Sequence, residues 1–338
     1  MPTTKNLLLY AIALVVIAFV VSKIPSVTLE LLSADHDHDD PIALGTNVWP
    51  GFEPFYLAQK TGLLAETDAR LLEYSSSTQV MRSFANGTID AAALTLDEVL
   101  TLRGAGVDAV VVLVLDFSNG GDAIVANPDN PTVASLSGKR IAAESTALGA
   151  LMLSRALETN GLKLDDVDVV SAEIDEHEFL VEQGSVDAVV TFSPVLDRLK
   201  ARGMVEVFSS REIPGEIVDV LVVNPHLVEE HRQKLEGLVR SWFAALEYLD
   251  VEPQQSAELM GPRQGMTPAE VLQSLEQLSF PGLDQNREYL SGDAPRLADT
   301  ASTLHRLMVD AGLRGGEIDG EALLSDTVVV ALSGELER

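Results

Sequence analysis

The sequence predicts an α/β protein built of two lobes, with the chain crossing twice between them. From Pro41 onward, apolar runs of strand length alternate with stretches of helix length, which is typical of βαβ units and a largely parallel sheet. One turn-and-strand segment recurs about 97 residues later, which indicates two lobes of the same construction. The length of 338 residues is enough for about two domains.

The first lobe begins with an apolar run that ends at a turn containing Trp49, Pro50 and Gly51. A proline at the first position of a helix costs little, because its missing N–H would be unpaired there anyway. A helix therefore follows this turn and ends at Gly62. We predict strands at Ile42–Asn47, Arg70–Tyr74, Ala91–Thr95 and Ala109–Leu115, and helices at Glu53–Thr61, Thr78–Asn86 and Leu96–Gly104.

The second lobe repeats this pattern. Lys139–Ala143 is typical of a strand, and Ala147–Asn160 is typical of a helix that ends at a glycine. The segment Gly87–Ala93, GTIDAAA, is matched by Gly184–Val190, GSVDAVV. In each copy a glycine ends a helix, an aspartate makes the turn, and a strand of small apolar residues begins. The two copies therefore predict equivalent strands in the two lobes.

Two β-rich runs flank the second copy and are the places where the chain is expected to cross between lobes. These runs are Val110–Leu115 and Ile217–Val223. The second lobe is then an insertion, with predicted boundaries of 41–123 plus 219–338 for lobe 1 and 124–218 for lobe 2. Beyond the second crossing the pattern becomes helical, and we predict helices at Val228–Leu249, Thr267–Leu278 and Ala294–Ala311.

The N-terminal segment, residues 1–26, is typical of an export signal or membrane anchor. The apolar run Leu7–Val21 lies between Lys5 and Lys23, and no clear cleavage site follows closely. We favour an uncleaved anchor over a cleaved signal, with a buried helix of the globular body as a third alternative. Residues 27–40 are predicted to form an acidic linker, and its run SADHDHDD is more typical of a solvated spacer than of a metal site.

The composition limits the classes of partner. A formal net charge of -29 gives a surface that repels nucleic acid and anionic membrane. The chain has no cysteine, which excludes disulfides, thiolate metal sites, a cysteine nucleophile and a lipid-modified cysteine. We therefore expect no nucleic-acid partner, no metal and no cofactor.

Several segments resemble, in the same order, the solute-binding proteins of ABC importers of the nitrate/sulfonate/taurine type, a group that includes thiamine-precursor binders. The run Asn47–Pro54, NVWPGFEP, is the most specific of them. The others are Gly87–Thr95, Leu115–Gly120, Leu136–Arg140, Glu176–Glu178 and Pro214–Val222.

The resemblance implies a type II periplasmic-binding-protein fold that closes on a small ligand and docks on a membrane permease with its ATPase. It places the body in the periplasm, either anchored by the N-terminal segment or secreted after cleavage. A binding protein without catalytic residues is expected. The alternatives are an enzyme on the same fold, of the thiamine-precursor or menaquinone-pathway type, and a sensory or scaffold module. His177 is a candidate acid/base for such an enzyme, although a surface helix face is the expected place for it.

In a two-lobed protein the ligand lies at the ends of corresponding strands, next to helix N-termini. Each candidate also has a structural alternative, such as capping a helix or packing in a core. The predicted ligand-binding residues are Asn47, Trp49, Pro50, Gly51, Ser76, Ser77, Thr95, Asp97, Asp116, Ser118, Asn119, Glu144, Ser145, Thr146, Thr191, Phe192 and Asp219.

The charges of these candidate residues restrict the chemical class of the ligand. Four of them are acidic, and no lysine or arginine falls at the same strand ends. Burying an unpaired carboxylate is costly, so an amine-bearing, zwitterionic or heteroaromatic ligand fits better than an inorganic anion. Trp49, Phe117 and Phe192 are expected to supply flat apolar walls or cation–π contacts.

Overall fold

The computed structural model describes residues 40–65, 67–144, 148–313 and 323–336. The strands and helices named below lie in one unit, Pro41–Arg338. The predicted anchor at Leu7–Val21 and the acidic linker up to residue 39 lie outside the described residues. None of the described helices is both long enough and apolar enough to cross a membrane.

Eleven described strands form two sheets. Five of them are buried at every position, as expected for strands covered on both faces by other elements. The strands are β1 (Ile42–Thr46), β2 (Ala69–Glu73), β3 (Ala91–Thr95), β4 (Val110–Ser118), β5 (Asp122–Ala126), β6 (Arg140–Ala143), β7 (Asp168–Ser171), β8 (Ala188–Phe192), β9 (Val205–Ser209), β10 (Val218–Val223) and β11 (Leu278–Ser279).

The first sheet has the order β11-β4-β10-β3-β1-β2, and the second has the order β7-β6-β8-β5-β9. In the first sheet β1 runs parallel to β2 and β3, while β10 runs antiparallel to β3 and β4. In the second sheet β6 runs parallel to β7 and β8, while β5 runs antiparallel to β8 and β9. The prediction of a largely parallel sheet was therefore wrong, because a strand that arrives from the other half enters each sheet in the opposite direction.

The helices pack around both sheets. Their bounds are α1 (Glu53–Thr61), α2 (Ser77–Ala85), α3 (Leu96–Gly104), α4 (Leu148–Thr159), α5 (His177–Glu182), α6 (Val195–Ala201), α7 (Pro225–Glu230), α8 (Arg232–Val251), α9 (Pro253–Gln264), α10 (Pro268–Leu275), α11 (Leu283–Leu290), α12 (Arg296–Asp310) and α13 (Thr327–Leu336).

Two of the predicted helices differ from the structure. The single helix predicted at Val228–Leu249 is divided at His231 into α7 and α8. The helix predicted at Thr267–Leu278 ends at Leu275, because the following Leu278–Ser279 pairs with β4 as an edge strand. Pairing with a sheet edge has here overridden the local helical pattern.

The predicted repeat is confirmed by the structure. Strands β3 and β8 lie at the same position in their sheets, between a parallel and an antiparallel neighbour. The carboxylate of Asp90 accepts the N–H of Ala43 at 2.8 Å, and the carboxylate of Asp187 accepts the N–H of Arg140 at 2.9 Å. Each turn aspartate therefore holds the start of a neighbouring strand, β1 or β6. The two aspartates are about 97 residues apart, and so are the two residues that donate to them.

The two crossings between the sheets are joined by serine hydroxyls. The Oγ atoms of Ser118, at the end of β4, and Ser210, just after β9, lie 2.9 Å apart. The N–H of Gly120 donates to the Ser210 Oγ at 2.6 Å, and the N–H of Asp122 donates to the Ser118 Oγ at 3.2 Å. The outgoing and returning segments are thus held together where the site begins.

Candidate functional site

A small cavity lies where strand ends of the first and second sheets meet. Its internal volume is about 20 Å³, which is room for a single water molecule. The lining side chains are polar or acidic on one part of the wall and apolar on the other. They belong to Asn47, Trp49, Phe52, Ser77, Thr95, Glu98, Asp122, Leu148, Phe192 and Asp219.

Trp49 is held in the cavity wall by contacts on several sides. Its backbone N–H donates to the Asn47 side-chain oxygen at 2.9 Å, and its indole N–H donates to the Asp116 carboxylate at 3.4 Å. The ring of Phe192 from the second sheet meets the indole edge-on, with 5.4 Å between ring centroids. Both rings line the cavity, so an aromatic contact joins the two sheets at the site.

Two glycines allow this close packing around the indole. A Cβ atom on Gly51 would lie 2.2 Å from an Asp116 carboxylate oxygen and 2.3 Å from the indole nitrogen. A Cβ atom on Gly121 would lie 2.5 Å from the far edge of the same indole. Any larger residue at either position would displace Trp49, and this explains why the turn at Trp49–Gly51 and the crossing at Gly120–Gly121 contain glycine.

The acidic side chains at the site are buried without a basic partner. Asp122 is 3% exposed and Asp219 is 2% exposed. No lysine or arginine is among the described side chains that line this cavity. Taking charged carboxylates out of water is costly, so they hold protons more tightly than usual. Burial raises the pKa of Asp122 to about 7 and of Glu98 to about 8, and it raises the pKa of Asp219 well above its ordinary value.

Asp116 and Asp219 form a carboxyl pair beside the cavity. They are directly opposite each other on β4 and β10, and their side chains hydrogen-bond to each other. Such a contact requires a proton on one of the two groups. Burial raises the pKa of Asp116 to about 7, while the nearby charges of Asp116 and Asp122 add to burial in raising that of Asp219.

A second cavity of about 20 Å³ adjoins the first and shares Ser77, Asp122, Leu148 and Phe192 with it. Glu144, His177 and Thr191 line the part that is not shared. Burial, with the Glu98 charge adding to it, raises the pKa of Glu144 to about 9, and burial lowers the pKa of His177 to about 4. The second cavity therefore adds a protonated carboxyl and a neutral imidazole at neutral pH.

The structure brings many of the predicted residues together at these cavities. Those that line one of them are Asn47, Trp49, Ser77, Thr95, Glu144, Thr191, Phe192 and Asp219. Ser145 and Thr146 lie outside the described residues.

The other predicted residues lie near the cavities without lining them. Ser76 caps α2 by accepting the N–H of Gln79 at 3.3 Å. Asn119 is exposed, and its backbone N–H donates to the carbonyl of Gln277 at 2.8 Å. Asp116 accepts the indole N–H of Trp49, and Gly51 packs against the same indole. Ser118 links the two crossings. Pro50 and Asp97 are buried near the cavities.

Two expectations about side chains are corrected by the packing. Phe117 packs against Tyr289, at 5.2 Å between ring centroids, and does not line either cavity. His177 is only 1% exposed and lines the second cavity, so its expected place on a surface helix face was wrong. The acidic residues around His177 in the sequence suggested an exposed helix, but the ring points inward from the start of α5.

Four residues that line the first cavity were not predicted from the sequence, and two of them carried a signal. Glu98 stands three residues after Thr95, and its carboxylate accepts the Thr95 N–H at 3.0 Å, which is half of a capping box. Asp122 begins the run DAIVANP, which matches DVLVVNP beginning at Asp219. Phe52 and Leu148 are apolar residues with no sequence feature that sets them apart.

The arrangement is suited to binding a hydrogen-bond donor between aromatic walls. Carboxylates and the Thr191 hydroxyl, which has no hydrogen-bond partner among the described residues, supply acceptors. Within the described part of the chain, no group of three or more histidine or acidic residues is placed to hold a metal ion.

The sequence profile of the NMT1-like family matches residues 35–261, which is more than half of the chain. The chain belongs to the NMT1-like family. A curated relative of this NMT1-like chain is the putative aliphatic sulfonates-binding protein of Escherichia coli, 23% identical over 211 residues. That match covers 62% of this chain and 66% of the relative, so the chain spans slightly less than two thirds of the relative's length.

Solved structures show the same fold. The alkanesulfonate-binding protein SsuA from Xanthomonas axonopodis pv. citri, bound to MOPS, matches with a TM-score of 0.73 and 17% identity. The match covers 85% of this NMT1-like chain and 99% of SsuA. The desulfurization enzyme DSZB matches with a TM-score of 0.61 and 16% identity over 88% of this chain and 99% of that one. The fold is therefore shared by binding proteins and by at least one enzyme.

Proposed function

We propose that this chain is the extracytoplasmic solute-binding component of an ABC importer. It captures a small organic ligand between two lobes, 41–123 with 219–338 and 124–218, and delivers it to a membrane permease and its ATPase. The observation that carries the proposal is the shared cavity, because Trp49 and Asp219 from the first sheet and Asp122 and Phe192 from the second line it together. A ligand held there would contact both halves and favour their closure.

The proposal places the protein outside the cytoplasm, in the periplasm. The N-terminal segment either stays as a membrane anchor or is removed after export. The apolar run Leu7–Val21 between two lysines supports export, and the family relationship to a sulfonates-binding protein is in accord with it.

We further propose an amine-bearing, zwitterionic or heteroaromatic ligand. SsuA is an alkanesulfonate-binding protein, whereas the described lining of this cavity contains Glu98, Asp122 and Asp219 and no basic side chain. A bare anion placed here would meet three carboxyl groups, with only neutral side chains such as Asn47, Ser77 and Thr95 to hold it. A protonated basic nitrogen would instead donate hydrogen bonds to the carboxylates, which would also neutralise its charge.

An enzyme on the same fold is the second candidate. It is favoured by His177 and Glu144, two titratable side chains that line the same cavity, and by the fold shared with a desulfurization enzyme. Both groups are equally consistent with ligand binding, and a cavity of about 20 Å³ must open for an organic ligand as well as for a substrate. We place binding ahead of catalysis because the Escherichia coli relative and SsuA are both named as binding proteins.

The experiment uses the indole at the site as the reporter. Trp49 and Trp242 are the two tryptophans of the chain, so the variant Trp242→Phe leaves only the site indole to emit. We expect an organic amine or a zwitterion such as taurine to change Trp49 emission and to raise the melting temperature. The variant Trp49→Phe, with Trp242 retained, is the matched control and should show the temperature shift with little change in emission.

Two outcomes would contradict the proposal. Tight nitrate binding with no response to any amine would overturn the ligand class. Steady formation of a product from a bound compound, detected by mass spectrometry, would overturn the binding role in favour of the enzyme.

A further inference from the structure

Two aspartates of the site are related by the internal repeat. Asp122 is the first residue of β5 and Asp219 is the second residue of β10, and both strands enter their sheets directly after a crossing. The runs DAIVANP and DVLVVNP share aspartate, valine, asparagine and proline at matching positions, again about 97 residues apart. The matching asparagines then donate their backbone N–H groups to the carbonyls of Asp187 and Asp90, at 2.9 Å and 3.2 Å. The two strands are thus equivalent in sequence, direction and pairing.

The repeat brings these two carboxyls to one cavity from opposite sheets. Both Asp122 and Asp219 line it, and both are more than nine-tenths buried. In the described part of the chain neither Oδ2 atom accepts a hydrogen bond from an N–H or hydroxyl donor, and the contact made by Asp219 is the one with the Asp116 carboxyl. Ionised carboxylate oxygens are acceptors only, so an external donor would stabilise both groups once they lose their protons.

A further unpartnered group lies in the adjoining cavity. The Thr191 hydroxyl is 3% exposed, lines the adjoining cavity next to Asp122, and has no partner among the described residues. Buried polar atoms are nearly always hydrogen-bonded in folded proteins, so unpaired ones gathered at a cavity indicate a bound partner. The edge-on rings of Trp49 and Phe192 complete the wall and are of the kind that accept a flat cation.

We infer that Asp122 and Asp219 form a two-sided clamp for a compact organic cation that carries N–H donors on opposite edges, of the guanidinium or amidinium class. One aspartate from each sheet accepts from one edge of the cation, and one of the two aromatic rings lies against its face. The cavity of about 20 Å³ must widen to admit the cation. This inference rests on the proposed binding function and names its ligand class. A metal ion fits less well, because the described carboxyls do not gather as a metal site.

Binding of the cation displaces protons from the carboxyl groups of the site. The charged and titratable groups that face the clamp come from every element around it: Asp97 and Glu98 of α3, Asp116 of β4, Glu144 after β6, and His177 of α5. Burial raises the pKa of every one of these carboxyls, to about 8 for Glu98 and about 9 for Glu144, so the site holds protons near neutral pH when no cation is bound. A cation binds the ionised form, and its affinity therefore rises with pH.

Isothermal titration at constant ionic strength tests the clamp with four simple probes: guanidinium, methylammonium, tetramethylammonium and methanesulfonate. We expect guanidinium to bind at pH 8 with a dissociation constant below about 1 mM, and methylammonium to bind more weakly because it has donors on one side only. Tetramethylammonium has the charge without N–H groups and should not bind. Guanidinium affinity should fall at least tenfold between pH 8 and pH 6, with proton release visible in buffers of different ionisation enthalpy.

The variants Asp122→Asn and Asp219→Asn should each weaken guanidinium binding at least tenfold. Asp129→Asn, an exposed aspartate just beyond β5, is the matched control and should bind as the unaltered protein does. Melting curves of each variant establish that it is folded.

The outcomes separate this inference from the proposed function. Binding of methanesulfonate with no binding of guanidinium would overturn the clamp and leave the solute-binding role in place. Guanidinium binding that is unchanged in both aspartate variants, or equal binding of tetramethylammonium, would also overturn the clamp. If neither these probes nor any co-purifying compound binds, the solute-binding role itself is wrong.

Discussion

Two groups of buried acids in this protein differ in where their counter-charge comes from. Glu53, at the start of α1, is 1% exposed and is paired with Arg263 of α9 at 2.6 Å. The Arg263 guanidinium also lies 3.7 Å from the centroid of the Tyr56 ring. At the cavity, Asp122 and Asp219 are equally buried, but no basic side chain is among the described residues that surround them.

The difference separates an acid that stabilises the fold from acids that await a ligand. Burial raises the pKa of Glu53, and the Arg263 charge and hydrogen bond oppose this increase. No basic side chain opposes the effect of burial on Asp122 among the described residues, and its pKa rises to about 7. A partner built into the chain makes a permanent contact, whereas carboxyls without one impose a cost that an external cation would remove.

The largest expected effect is that of pH on the unliganded protein. The carboxyls of Glu98, Asp116, Asp122 and Glu144 have pKa values of about 7 to 9 in the fold, against about 4 when unfolded. The folded state therefore binds more protons than the unfolded state between these values, and stability falls as pH rises. We expect the melting temperature to drop by about 10 °C between pH 5.5 and pH 8.5.

Scanning calorimetry across this range is the measurement, and ordinary exposed carboxylates are already ionised throughout it. The double variant Asp122→Asn with Asp219→Asn should show a shallower slope. A melting temperature that is constant or rises with pH would show that the cavity acids have a counter-charge after all.

Breaking the built-in pair comes next in size. Arg263→Met leaves Glu53 buried with no cationic partner, which should lower the free energy of unfolding by about 3–5 kcal/mol. Urea denaturation at pH 7 measures this. Adding Glu53→Gln to the same variant removes the unpaired buried charge and should recover much of the lost stability. If Arg263→Met alone costs less than about 1 kcal/mol, the pair of Glu53 with Arg263 does not stabilise the fold as a buried ion pair should.

Removing a cavity charge should have the opposite sign. At pH 8 we expect Asp122→Asn or Asp219→Asn to raise the free energy of unfolding by about 1–2 kcal/mol, because an amide avoids the charge but leaves polar atoms unpaired. The melting temperature should then rise by about 2–4 °C. At pH 5 the unaltered carboxyls are already neutral, so the gain should disappear; a loss of stability at pH 8 would indicate a structural role for these aspartates.

The smallest effect is expected at the outer partner of Arg263. Glu73 also pairs with this arginine, but its side chain is 43% exposed. Exposed ion pairs contribute little, so Glu73→Gln should cost no more than about 1 kcal/mol in the same urea experiment. A loss as large as that of Arg263→Met would mean that the pair with Glu53 is not the one that stabilises the fold.

Local patterns in the chain were sufficient to predict most of the fold. The helix Glu53–Thr61 and the strand Ala91–Thr95 have the predicted bounds, because a proline, a glycine and a turn aspartate mark their ends. The mixed direction of the sheets was not predictable from periodicity, since an apolar strand has the same pattern whichever way it runs. The edge strand Leu278–Ser279 is likewise decided by a distant partner, β4.

The site residues, like the elements of the fold, were predictable only in part. Asn47, Trp49 and Asp219 were predictable because they follow or begin strands at expected positions. Asp122 was not predicted, although its run repeats that of Asp219. The glycine-led segments Gly87–Ala93 and Gly184–Val190 are the more visible part of the repeat. The inward direction of His177 depends on how α5 packs against the second sheet, and nothing in its acidic neighbours indicates this.

The turn aspartates Asp90 and Asp187 have a consequence for how this chain tolerates changes in length. Each holds the start of the neighbouring strand, β1 or β6, and stands just before β3 or β8, which reaches the site five residues later at Thr95 or Phe192. Deleting or inserting one residue within either stretch would reverse which side chains face inward. These segments should therefore keep their length, whereas loops beyond the strands absorb the insertions and deletions.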